Sequence, residues 1–148
     1  MDRGSSVINC KYIIYNFIFR HFTLMNPRNF GGIRNTRTHT SLVITRAVIP
    51  EDRTFDDELT FQWAQVAAQI NNFQQTPPVV LTLPLLPDCP ARETTATYLR
   101  EPYFCCQRQL AVLMPERWLL MLTCTALNTF SEEDERFWLQ VKNTLDRD

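Results

Sequence analysis

"FCCQRQLAVLMPERWLLMLTCTAL", residues 104–127, contains two apolar runs, 104–114 and 118–127, separated only by Pro115, Glu116 and Arg117. Two such runs joined by a short Pro-containing connection read as the strands of a β-hairpin. Neighbouring side chains in a strand point to opposite faces, so Gln107 and Gln109 share one face and Arg108 takes the other. Cys105 and Cys106 part in the same way. The continuation "LAVLM" is wholly apolar. A glutamine on an apolar sheet surface finds a partner or costs about 1–3 kcal/mol. Two readings of these glutamines stand: they mark the solvated beginning of the strand, or they meet groups that a partner brings.

Working outward, residues 12–19 and 22–26 read as short strands, and "RNFGGIRNTRTHT", 28–40, as a basic polar loop. "SLVITRAVI", 41–49, is a strand ended by Pro50. Thr54, three residues before Asp57, is placed to cap a helix. In "DELTFQWAQVAAQINNF", 57–73, Leu59, Trp63, Val66, Ile70 and Phe73 recur at helical spacing and form one apolar stripe. Gln62, Gln65 and Gln69 form an uncharged column beside it, where a solvated helix edge would carry Lys and Glu. "QQTPP" breaks the helix, and "VVLTLPLL", 79–86, is an edge or bulged strand because it holds Pro84. "PDCP", 87–90, reads as a turn, and "ETTATYL", 93–99, as a strand with one polar side. Ser131 and Asp134 cap a last helix with Phe137, Val141 and Leu145 at helical spacing. The order of elements predicts an α+β fold: one domain over residues 1–148, with a mostly antiparallel sheet of about six strands flanked by two main helices.

The chain has 148 residues, 45% hydrophobic and 21% charged, with a formal net charge of -1. This is a globular composition without an overall pull toward nucleic acid or anionic lipid. The charge is uneven: Arg3, Lys11, Arg20, Arg28, Arg34, Arg37 and Arg46 stand against Asp2 alone in the first third, while the acidic runs 51–58 and 132–135 sit at helix starts. No apolar run is long enough to span a membrane, so the chain is not expected to be membrane-embedded. "CKYIIYNFIFRHFTLM", 10–25, is broken by Arg20 and His21 and lacks a cleavage site, so it reads as strands rather than a signal peptide. The five cysteines include no CxxC, and His21 and His39 are isolated. Neither a metal site nor a cofactor is expected, and the thiols are expected to be reduced and partly buried. There is no glycine-rich phosphate loop, no GxSxG and no HExxH, so no catalytic residues are assigned and the chain is not expected to be an enzyme.

Two longer strings carry a resemblance. "SLVITRAVIPEDRTFDDELTFQWAQVAAQINNF", 41–73, and "RQLAVLMPERWLLMLTCTA", 108–126, followed by a final helix, resemble in order and spacing the Eag family. These are effector-associated chaperones of the bacterial type VI secretion system, within the DcrB/PsbP/Mog1-like fold group. Phe55, Gln62, Ile70 and Phe73 fall at positions matching the family's helix signature, and the resemblance covers roughly residues 22–145. It implies a PsbP/Mog1-like fold and a cytoplasmic homodimer. It also implies a partner: the N-terminal transmembrane-helix region of a PAAR-containing effector, often an Rhs protein, shielded until it is loaded onto the VgrG spike. Family members cradle these helices on a concave sheet, with apolar contacts and glutamines that bond helix backbone. Carried across, the partner-binding residues are Gln62, Ile70 and Gln109, with Met25 and Pro27 from "LMNPR". The implied arrangement buries the apolar stripe on the chain's own sheet and leaves the glutamine amides free in a wet groove. The sequence departs from the family in lacking its Pro-rich, Trp-containing turn, in Pro27 at an aliphatic position, and in "NNF" for "PGF". Two alternatives remain: a DcrB-like envelope factor of the same fold, which calls for a signal or lipoprotein segment, and a small enzyme, which calls for a convergent polar pocket.

Overall fold

The computed structural model describes residues 17–19, 32–35 and 40–147. The strands are β1 (Phe17–Phe19), β2 (Gly32–Asn35), β3 (Thr40–Val48), β4 (Gln74–Gln75), β5 (Val79–Leu83), β6 (Leu86–Arg100), β7 (Tyr103–Met114), β8 (Trp118–Leu127) and β9 (Leu145–Arg147). The helices are α1 (Phe55–Gln69) and α2 (Glu132–Thr144). Seven strands make the main sheet in the order β2-β3-β8-β7-β6-β4, with β5 also paired to β6, and β1 pairs separately with β9. Every described pairing is antiparallel.

The β7–β8 hairpin lies at the centre of this sheet, as its apolar runs require. Its connection, Pro115–Arg117, is a single 3-10 turn in which Glu116 and Arg117 adopt positive φ. Alternation then divides two cores. On one face Leu110, Val112 and Met114 of β7, Leu120, Leu122 and Cys124 of β8, and Leu42 and Ile44 of β3 pack under Trp138, Val141 and Leu145. On the other face Ala111 and Leu119 pack under Ile49, Phe55, Leu59 and Trp63. The helices therefore cover opposite faces of the sheet.

Local chemistry positions both helices. Thr54 Oγ1 accepts the Asp57 N–H at 3.1 Å, and Ser131 with Asp134 forms a reciprocal capping box. Each cap satisfies a donor that the first helical turn leaves unpaired. On α2, the Trp138 indole N–H donates to Glu93 at 2.6 Å and Lys142 pairs with the same carboxylate at 3.0 Å. On α1, Arg92 reaches Asp56 at 3.0 Å, and Arg117 donates to the carbonyls of Ile49, Pro50 and Arg53 just before the helix. All of these α1 tethers act at its N-terminal end.

Several local expectations are corrected. Within the stretch read as a basic loop, Gly32–Asn35 forms β2 along the outer edge of β3, where otherwise a row of N–H and C=O groups would lack strand partners. The helix stops at Gln69 rather than near Phe73: Ile70 is extended and Asn72 is left-handed, with φ 56°. Gln74 and Gln75, read as part of a breaker, pair with Thr97 and Ala96 as β4. "PDCP" is not a turn but the start of β6. The chain turns at Pro84–Leu85 instead, and Pro87 and Pro90 precede Ala91, the first β6 residue paired with β7, so their missing N–H groups remove nothing from that ladder. The Pro84 strand is indeed irregular, with a register shift between Leu81 and Leu83.

Candidate partner-binding face

Among the described residues, the α1 side of the sheet is only partly covered. Phe55, Leu59 and Trp63 are buried, but residues 64–69 are all exposed. Val66 lies on the same stripe, seven residues after Leu59, and is still 36% exposed. The side chains of the second half of α1 are thus turned largely to solvent, and the ion pair and carbonyl bonds that hold the helix lie at its N-terminal end. On the sheet beneath, Val43, Thr45, Met121, Thr123, Thr125 and Gln107 are left half-buried. Cross-strand register sets them in ranks: Val43, Thr123, Gln109 and Thr94 in one, and Ser41, Thr125, Gln107 and Ala96 in the next.

Polar side chains on this floor are wired together. Gln75 Nε2 donates to Gln109 Oε1 at 2.9 Å and to Thr94 Oγ1 at 3.2 Å. Thr94 also donates to Gln109 Oε1 at 2.9 Å, and Gln109 Nε2 donates to Gln107 Oε1 at 2.8 Å. Gln107 Nε2 in turn donates to Tyr98 Oη and Thr125 Oγ1, both at 3.1 Å. Gln109 is only 5% exposed, so its amide is a satisfied member of a buried network and not a free group in a wet groove. The network removes the cost of placing an amide next to Ala111 and Leu110.

Gln62 is elsewhere. It is half-buried on α1, and its Nε2 donates to Glu58 Oε2 at 2.7 Å. Glu58, 7% exposed, is held on its other oxygen by Arg53 at 2.8 Å. Gln65 and Gln69 are exposed. Ile70 is half-buried at the end of α1, in an open cleft of about 640 Å³ that it shares with Asn71, Asn72, Tyr98, Leu99 and Arg100. Tyr98 is thus the meeting point: the chain Gln109–Gln107–Tyr98 runs from the sheet centre to the cleft at Ile70. The structure joins Gln109 and Ile70 through this chain and leaves Gln62 on a separate side-chain relay. Met25 and Pro27 lie outside the described residues.

The network partners Gln75, Thr94, Tyr98 and Thr125, and the Arg53–Glu58 pair, escaped the site reading. The sequence held no clear signal for them: alternation in "ETTATYL" gives its more polar side to Glu93, Thr95 and Thr97, whereas Thr94, Ala96 and Tyr98 share the α1 face. Chemically this face offers hydrogen bonds without net charge. Burial raises the pKa of Tyr98, reinforced by nearby Cys105 and opposed by the Gln107 bond. Burial also raises Cys106 and Cys124, so both thiols are protonated at neutral pH and are poor nucleophiles. Among the described residues no helix is long and apolar enough to cross a membrane.

A helix-flanked antiparallel sheet with one sealed and one half-open face places the chain in the PsbP/DcrB-like fold group. The family model for DcrB matches residues 33–144, and the chain belongs to the DcrB family. Among solved structures it resembles PA94 from Pseudomonas aeruginosa, a protein of unknown function, with TM-score 0.59 and 21% identity over 74% of this chain and 73% of that one. It also resembles LpqN, involved in cell envelope biogenesis of Mycobacterium tuberculosis, with TM-score 0.62 and 14% identity over 92% of this chain and 80% of that one. At these identities the likeness concerns the fold. A comparison with curated proteins finds no match.

Proposed function

We propose that this DcrB-family chain is a non-enzymatic chaperone or adaptor that shields the N-terminal transmembrane-helix region of a PAAR- or Rhs-type effector of type VI secretion. It does so in the cytoplasm, as a homodimer, before the effector joins VgrG. The observation that carries this reading is the half-covered α1 face, where apolar side chains alternate with neutral amides and hydroxyls. Such a surface accepts an apolar helix and still bonds its exposed backbone groups without desolvating a charge. The ordered match of 41–73 and 108–126 to the Eag signature supplies the partner class. The direct test is co-expression with the tagged N-terminal region of a PAAR effector encoded beside this gene. The two are expected to co-purify, and a chain that leaves the region insoluble and uncaptured sinks the proposal.

A second reading, a DcrB-like envelope factor, is favoured more directly by the family match and by the likeness to LpqN. Cell fractionation separates the two: accumulation in the envelope without effector capture supports the second.

A further inference from the structure

Glu58 is an unusual choice for the sheet-facing side of α1, because a carboxylate at 7% exposure is costly unless both oxygens are engaged. Both are: Oε1 takes Arg53 Nη1 at 2.8 Å and Oε2 takes Gln62 Nε2 at 2.7 Å. The second bond settles which way the Gln62 amide faces. Turning it over would set Oε1 of Gln62 against a carboxylate oxygen, acceptor against acceptor. The nitrogen therefore stays on Glu58, and Oε1, which has no hydrogen-bond partner among the described residues, is the atom left for a partner.

We infer that Glu58 is a positioning residue: it fixes the polarity of Gln62 so that this site takes a hydrogen-bond donor from the partner, an exposed backbone N–H of a helix's first turn or a Ser or Thr hydroxyl, and not a carbonyl. This rests on the reading of Gln62 as a partner contact. Arg53 completes the relay. It anchors the carboxylate, stacks 3.8 Å over the Phe61 ring, and partly neutralises a charge that would otherwise sit beside an apolar client.

A double-mutant cycle on capture of the tagged effector region tests this. Glu58→Gln frees the amide to turn over, and is expected to weaken capture about three- to tenfold, the worth of one oriented hydrogen bond. On a Gln62→Ala background the same substitution is expected to have no further effect. Equal losses on both backgrounds overturn the inference, because Glu58 would then act through stability alone. If Gln62→Ala itself leaves capture unchanged, the reading of Gln62 as a contact fails and the inference fails with it. Gln62→Glu combined with Glu58→Gln keeps an outward oxygen and removes the amide hydrogens. Capture is expected to recover above the Glu58→Gln level, and a fall to the Gln62→Ala level overturns the donor assignment. In the free protein, the Gln62 side-chain amide resonances are expected to move on Glu58→Gln, and an unmoved pair also overturns the relay.

Discussion

At Gln109 the amide oxygen accepts two hydrogen bonds and the nitrogen donates one, almost out of reach of solvent. Gln109→Ala takes one hydrogen bond each from Gln75, Thr94 and Gln107, and is expected to lower stability by about 1–3 kcal/mol in urea denaturation. Gln62→Ala leaves Glu58 still paired with Arg53, so its cost is expected to be smaller, under about 1 kcal/mol. For Gln109 this replaces the expectation of an amide free in a wet groove with that of a group that supports the fold. Tyr98 offers a second residue-scale test. Its folded pKa lies above the ordinary 10.0, mainly through burial. The folded state therefore holds this proton more tightly than the unfolded one. Its contribution to stability is complete below pH 10 and is lost as pH rises through the folded value. Tyrosinate absorbance is expected to show a late-titrating component in the folded protein that Tyr98→Phe removes, and a titration unchanged by the substitution would refute this.

Helix α1 behaves as two halves although its stripe is continuous in sequence. Leu59 and Trp63 pack in one buried cluster with Ile49, Ala111 and Leu119, while Val66 stays 36% exposed. Trp63→Ala is expected to cost about 3–5 kcal/mol and Val66→Ser under about 0.5 kcal/mol, compared by chemical denaturation. Similar costs at the two positions would mean that the second half of α1 is also seated on the sheet. Helix α2 contrasts with this: Trp138 and Val141, with Leu145 directly after the helix, are all fully packed, and the Glu93 carboxylate holds its middle and last turns through Trp138 and Lys142. The strands show the same dependence on surroundings. Val79 and Val80 are strongly exposed on β5, which borders the sheet, whereas the apolar run of β7 is enclosed by both cores.

For the molecule as a whole, the asymmetry between faces is the feature on which the proposed function rests. One face is closed by α2, and the other offers a floor that α1 only partly shades. A homodimer that joins two such sheets would enlarge this floor, as the Eag resemblance implies. Sedimentation at micromolar concentration is expected to give twice the mass of one chain, and a single-chain mass throughout would count against that assembly.

By itself the sequence determined what depends on neighbours a few residues away. Period-two alternation in 104–127 placed Gln107 and Gln109 opposite Arg108, which indeed turns to α2 and pairs with Glu135 at 2.6 Å. Side-chain caps at Thr54 and Ser131 were readable because a cap bonds within one helical turn. The α+β class followed from the order of such elements. Only the tertiary structure decided what the glutamines do, because their partners are distant in the chain: Gln75 lies 34 residues from Gln109, and only the register of β4 and β7 on either side of β6 brings their amides within 2.9 Å. The exposure of Val66 was equally hidden, since a periodic stripe states which side chains face inward and not whether a surface waits beneath them. Gln62 and Gln109 look alike in the sequence. Burial and register separate them, making one a structural hub and leaving the other with an oxygen to offer.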